Sequence, residues 1–234
     1  MNGLQNKVAI VTGASSGIGR AVALAFAREG VKVVVSDVAR DGGEETVRLI
    51  KEQGGEAIFI PCDVSQSAQV EALVKRAVET FGRLDFACNN AGIGGEAALT
   101  ADYSVDGWNK VIAVNLSGVF YGMKYQIPEM LKQGGGVIVN MASILGWVGF
   151  ANSPAYVAAK HGVIGLTKTA AIEYAKQGIR AVTVCPAFIH TPMVDNGLSA
   201  DVLEQLASAH PVGRLGTPEE VAELVVFLCS DEAS

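Results

Sequence analysis

The chain has 234 residues, of which 50% are hydrophobic and 27 are glycine, and its formal net charge is −6. A length of this order builds one large domain, here 1–234, and a pI near 5.1 excludes a protein that grips nucleic acid through a basic face. The N-terminus runs into Val8 without a signal-peptide core, and no apolar run approaches the roughly 18 residues that span a bilayer, so no membrane association and a cytoplasmic location are expected.

Short runs rich in valine and isoleucine occur at 8–12, 31–36, 57–62, 84–88, 136–141 and 179–185, and they predict buried parallel strands. Between and after them, helical patterns are predicted at 18–28, 43–53, 66–81, 105–131, 154–176 and 218–229. Strand and helix alternating in this way predict an α/β fold, a single-domain Rossmann-type doubly wound parallel sheet with helices on both faces. The stretch 191–214 mixes prolines, glycines and short apolar pieces on the side where ligands belong, and is expected to be a substrate lid. Cys62, Cys88, Cys185 and Cys229 lack the paired spacing of zinc or redox motifs, so buried reduced thiols and no metal are expected.

The first predicted strand ends in Thr12-Gly13-Ala14-Ser15-Ser16-Gly17-Ile18-Gly19 and is followed by an alanine-rich helix. Backbone NH groups at such a helix start can approach a pyrophosphate, and the helix dipole favours the anion. Asp37, at the end of the second strand, stands where a carboxylate reaches the ribose 2′-hydroxyl of NAD and repels a 2′-phosphate. Neither Ser15 nor Ser16 is basic, and Arg40 leaves NADP as the lesser alternative.

Tyr156 and Lys160 are four apart on a predicted helix, so phenol and ammonium project from one face. A unit cation about 4 Å from a phenolate, at an effective dielectric of about 20, contributes on the order of 4 kcal/mol. Before desolvation is counted, that lowers the phenol by up to about three units, into the range of general acid–base catalysis.

Taken together with Asn89-Asn90-Ala91-Gly92, Asn115 and Ser143, these motifs stand in the order found in the short-chain dehydrogenase/reductase family, which the chain resembles from about Lys7 to Ser234. The resemblance implies that Tyr156 exchanges a proton with the substrate oxygen, that Lys160 lowers its pKa and binds the nicotinamide ribose, that Ser143 holds the substrate oxygen, and that Asn115 fixes a relay water. It also implies adenine contacts at Asp63 and Val64, a ribose wall at Asn89, Asn90, Ala91 and Gly92, and nicotinamide contacts at Pro186, Ile189 and Thr191. Ala187 replaces the glycine usual after that proline.

The implied activity is NAD-dependent interconversion of a secondary alcohol and a ketone, with hydride passing to or from the cofactor. An NADPH-dependent 3-oxoacyl reductase of the same family is the alternative, and a non-catalytic nucleotide-binding scaffold is a third reading. Substrate contacts are expected from Ser143, Leu145, Phe188 and Met193, with Glu96 reading a hydroxyl; Trp147 and Phe150 suit a hydrophobic, cyclic body. His190 is a further candidate for substrate contact, whereas His161 and Asp85 are expected to serve structure. Family members are commonly tetramers built on the two long helices, so a homo-oligomer is expected. The family normally continues through a final strand and a glycine-rich tail beyond Ser234, and an end at this residue would leave a sheet edge bare.

Overall fold

In the computed structural model, which describes residues 1–234, six strands form one parallel sheet in the order β3-β2-β1-β4-β5-β6. They are β1 (Val8–Thr12), β2 (Lys32–Asp37), β3 (Ala57–Pro61), β4 (Phe86–Asn89), β5 (Gly136–Met141) and β6 (Ile179–Val184). All five residues of β1 are buried, as a central strand covered on both faces requires. Side-chain alternation divides the strands between two cores: Ala9, Val11, Val33 and Val35 pack on one face, Ile10 and Val34 on the other.

Helices α1 (Gly17–Arg28), α2 (Arg40–Glu52) and α9 (Pro218–Cys229) bury residues in the first core; α3 (Ser67–Phe81), α5 (Gly118–Lys132) and α6 (Pro154–Tyr174) do so in the second. The predicted long helix 105–131 is not continuous. Helix α4 (Val105–Ile112) passes into a π-turn over Ala113–Ser117 before α5 begins. The turn holds Asn115, which is fully buried, and its side chain is engaged outside the helix, the kind of tertiary contact that sustains a locally unfavourable helical turn.

The expected lid contains structure of its own, α7 (Pro192–Asp195) and α8 (Ala200–Ala209). Its neck is closed by a parallel bridge between Ile189 and Gly216, in which Gly216 N donates to Phe188 O at 3.0 Å and His190 N donates to Gly216 O at 2.9 Å. Immediately beyond the neck, Thr217 and Glu220 form a capping box at the start of α9, and Arg214 pairs with Glu220 at 2.6 Å. No helix is long and apolar enough to cross a membrane.

At the opposite end of the sheet, buried Asp85 accepts from Val8 N at 3.0 Å and from Arg83 Nε at 2.7 Å, so it serves local donors as the sequence suggested. Phe26 of α1 is fully buried and stacks on Phe86 of β4 with centroids 5.8 Å apart. Truncating it leaves a cavity that a packed two-layer core cannot collapse. Phe26→Ala should cost about 3–5 kcal/mol, read as a lower urea midpoint by circular dichroism.

Candidate active site

The first βα turn determines where a ligand can lie. Gly13 has φ +65°, and a Cβ there would stand 2.8 Å from Ala91 Cα; one on Gly19 would meet Gly13 O at 2.1 Å. Glycine is therefore required at both positions by close backbone approach. Thr12 Oγ1 accepts from Asn90 N at 3.0 Å and Ala91 N at 3.1 Å, while Asn90 Nδ2 donates to Thr12 O at 2.9 Å, which locks the ends of β1 and β4 together. From behind, Arg20 Nε donates to Thr46 Oγ1 at 3.0 Å, and buried Thr46 donates to Ala14 O at 2.8 Å.

These elements enclose a cavity of about 290 Å³ lined by Gly13, Ser15, Ser16, Gly17, Ile18, Gly19, Asp37, Asn90, Ala91 and Gly92 at one end. Ser143, Tyr156, Lys160, Pro186, Ala187, Ile189, Thr191 and Met193 line the other. A second cavity, lined by Asp63 and Val64, shares Gly13, Asp37, Ala91 and Gly92 with it, so the two form one trough. Asp37 sits at the junction. Its carboxylate accepts from Ser15 N at 3.0 Å and Ala39 N at 2.9 Å, which fixes it while leaving acceptor capacity toward the trough. The glycine cradle, the helix start and this placed carboxylate fit a dinucleotide along the trough. Sequence reasoning missed Met141, Ala142 and Pro192 in the first cavity, and Val38, Ile93 and Lys110 in the second. Most adjoin motif residues; nothing in the sequence marks Lys110.

Ser143 is buried and its Oγ accepts from Leu145 N at 3.1 Å, capping a short 3₁₀ turn at Ile144–Gly146. Its O–H remains available to a substrate oxygen. Lys160 is only 3% exposed, has no carboxylate partner, and donates to Met141 O at 2.7 Å. Burial pushes its ammonium down from 10.5 to about 8. Nζ also lies 5.4 Å from the centroid of the Tyr156 ring.

The Tyr156 phenol departs from the sequence expectation. In the free protein, burial pushes it above its ordinary value and the Ser143 hydroxyl offsets this only in part. Desolvation, left out of the sequence arithmetic, is the largest cause of this direction.

The Asn115 side chain has a structural tie of its own. Its Oδ1 accepts from Ile93 N and its Nδ2 donates to Ile93 O, both at 2.8 Å, so the side chain tethers the loop after β4. Asn89 lies beneath the trough floor, 4% exposed. Glu96 is exposed and accepts from Ser104 N at 2.6 Å at the start of α4, outside both cavities. Leu145 is buried and does not line the cavity, and Phe188 meets Phe150 tilted at 5.9 Å and His210 edge-on at 6.2 Å between ring centroids. Exposed His190 pairs with Asp195 at 3.1 Å, and exposed His161 contacts Val157 O at 2.9 Å within its own helix.

A parallel sheet with a glycine cradle leading to a Ser-Tyr-Lys cluster defines a nicotinamide-dependent oxidoreductase of Rossmann type. A family model described as "Enoyl-(Acyl carrier protein) reductase" matches residues 13–234. The chain is 49% identical over 233 residues to cyclohexanol dehydrogenase of Acinetobacter sp. (strain SE19), covering 100% of this chain and 91% of that one. It is 46% identical over 228 residues to cis-4-hydroxycyclohexanecarboxylate dehydrogenase of Sinomonas cyclohexanicum, covering 97% and 91%. The crystal structure of levodione reductase superposes with a TM-score of 0.96 at 39% identity, covering 98% of this chain and 93% of that one. The chain belongs to the short-chain dehydrogenase/reductase family.

The buried lysine makes a stability prediction. Between about 8 and 10.5 the unfolded chain keeps a proton that folded Lys160 has lost, so this group's contribution to stability rises with pH. Below that window the full cost of burying the charge is present, on the order of 3 kcal/mol. Ligand-free Lys160→Met should therefore resist urea better than wild type at pH 7, with the gap closing toward pH 10.5. Buried Cys62 and Cys88, both pushed up to about 12, are common to the two proteins and cancel in the difference. A gap independent of pH would overturn burial as the cause.

Proposed function

We propose that the protein oxidises neutral, cyclic secondary alcohols to ketones with NAD, Tyr156 acting as the general base. The observation that carries this is the convergence of Ser143, Tyr156 and Lys160 on one cavity whose far end is the glycine cradle and Asp37. Ser143 donates to the substrate oxygen, and Tyr156 takes the hydroxyl proton. Lys160 stabilises the phenolate and holds the nicotinamide ribose. The oxidised nicotinamide supplies the hydride acceptor and a second positive charge beside the phenol. A phenol that burial holds high in the free protein is thus suited to ionise only once the site is filled. Because the Asn115 side chain is committed to Ile93, any proton relay through this residue uses its backbone.

Three observations support the substrate class. Lys160 is the only cationic residue lining the catalytic cavity. Exposed Ile144, Trp147, Val148 and Phe150 follow Ser143 in the chain and exposed Met193 lines the cavity, apolar surface that would form a rim suited to a ring. Two relatives are named for cyclohexane-ring alcohols. The segment 191–214, pivoting on its bridged neck, closes over that rim as a lid.

NAD rather than NADP follows from Asp37 and from Arg40, which is bound to Glu44 at 3.0 Å and lies over Phe59, 5.9 Å from its centroid. Arg40 is thereby engaged, and with the Asp37 carboxylate this disfavours the NADPH-dependent 3-oxoacyl reductase reading. Half-exposed Phe120 and 83%-exposed Ile172, flanking an apolar groove between α5 and α6, support assembly into a tetramer through these helices. The four free thiols suit a reducing cytoplasm.

Two measurements test this reading. Tyr156→Phe should bind NADH, seen by fluorescence, yet lose at least about a thousandfold in kcat for cyclohexanol at 340 nm; retained turnover would sink the mechanism. Wild type should prefer NAD over NADP by about a hundredfold or more in kcat/KM, and Asp37→Ala should narrow that ratio by about tenfold or more. An unchanged ratio would remove Asp37 from cofactor choice.

A further inference from the structure

Beneath the catalytic trough runs a chain of buried polar side chains that neither the cofactor site nor the chemistry uses. Asn89 of β4 is 4% exposed, Gln126 of α5 1%, Asn140 of β5 0% and Thr167 of α6 2%. Asn89 and Gln126 pair reciprocally, Asn89 Nδ2 donating to Gln126 Oε1 at 3.0 Å and Gln126 Nε2 to Asn89 Oδ1 at 2.8 Å. Asn89 Nδ2 also donates to Asn140 Oδ1 at 2.9 Å, and Asn140 Nδ2 donates to Thr167 Oγ1 at 2.9 Å and to the Met123 sulfur at 3.2 Å. Thr167 then donates to Val163 O at 2.7 Å. No atom of the chain is left unsatisfied.

We propose that this network is a positioning device for the reaction: it sets the register of α6 against the sheet and so places Tyr156 and Lys160 opposite Ser143. Each buried amide or hydroxyl costs about 1–3 kcal/mol unless paired, so apolar side chains here would fold more cheaply. What the polar chain adds is direction. The rest of the α6 underside is Ala155, Ala159, Val163, Ile164 and Ala170, small or aliphatic groups that permit sliding. Thr167 lies seven residues beyond Lys160, two turns along nearly the same face. The helix is thus fastened at two points on consecutive β5 residues, Thr167 to the Asn140 side chain and Lys160 to the Met141 carbonyl.

A slip of one turn would move Tyr156 by about 5.4 Å, and even a shift of about 1 Å costs on the order of a hundredfold in rate. The same strand end faces the cofactor. Asn89 and Asn90 alternate across β4, one bonded to the α6 network and the other to Thr12 and Gly13 of the cradle. Cofactor loop and catalytic helix are therefore indexed to one dipeptide.

The proposal rests on the catalytic roles given above to Tyr156 and Lys160, and its test is separable from theirs. Thr167→Val keeps the shape but cannot accept from Asn140, whereas Thr167→Ser keeps the hydroxyl. Expected for Thr167→Val is a ten- to hundredfold loss in kcat, a shift of roughly half a unit or more in the pH midpoint of kcat, and unchanged ADP binding by calorimetry. Thr167→Ser should restore kcat to within about threefold. Val74→Ala, in the same core but on α3, serves as the control for lost stability and should leave kcat and its pH profile at wild-type values. The inference is overturned if Thr167→Val only lowers the unfolding midpoint, as Val74→Ala does, with kcat and its pH midpoint unmoved. It is equally overturned if Thr167→Val fails to fold and Thr167→Ser, folded, is as impaired in kcat as a Tyr156→Phe control. Failure of the function itself would show separately, as full activity in Tyr156→Phe.

Discussion

A single ammonium buried without a carboxylate is the constraint around which the active site is arranged. Lys160 is 3% exposed and bonded to one main-chain carbonyl, a placement that costs free energy in the unliganded protein. The surrounding structure tolerates that cost because it delivers a positive charge to the one region where negative charge develops. An acidic partner would make the fold more stable and the site less useful, since it would neutralise the field that a phenolate and a ribose are meant to feel. The lowered ammonium and the raised phenol are two outcomes of the same burial.

Much of this was legible in the sequence, and what was legible has a common property. The cradle, Asp37 and the Tyr156/Lys160 pair depend on spacing along a single element or turn, and spacing survives in a linear string. The alternation of valine-rich runs with helical patterns fixed the sheet for the same reason, with strand ends off by one or two residues. The π-turn did not show, because widening a helix by one residue depends on a tertiary bond to Ile93, 22 positions away. The placing of Glu96 did not show on similar grounds: its carboxylate has a donor at Ser104 that no composition argument ranks above a ligand. The phenol's direction was missed because burial is a property of the packed molecule. Asn89 and Asn140 did leave a trace, as amides at the ends of apolar strands, but only the fold shows that they meet.

The segment 191–214 holds more local order than its composition suggests. Read as a string it looks like a loop, yet it holds two helices and is stitched at its base by the Ile189–Gly216 bridge. The capping box at Thr217 and the Arg214–Glu220 pair anchor the outgoing strand of that neck to α9. Such an arrangement fixes the base of the segment, while Met193 and Val194 line the cavity above it.

The wide turn at Ala113–Ser117 has an evolutionary meaning beyond its geometry. Deleting any one of its residues would let α4 and α5 fuse into an unbroken α-helix with better hydrogen bonds, so the shorter sequence is the locally easier one to fold. The same deletion would rotate everything N-terminal to it by about 100° about the helix axis and pull Asn115 off the Ile93 backbone. The surplus residue is therefore held in place by a tertiary bond rather than by local helix energetics, and the length of this helix decides whether Asn115 reaches the loop after β4.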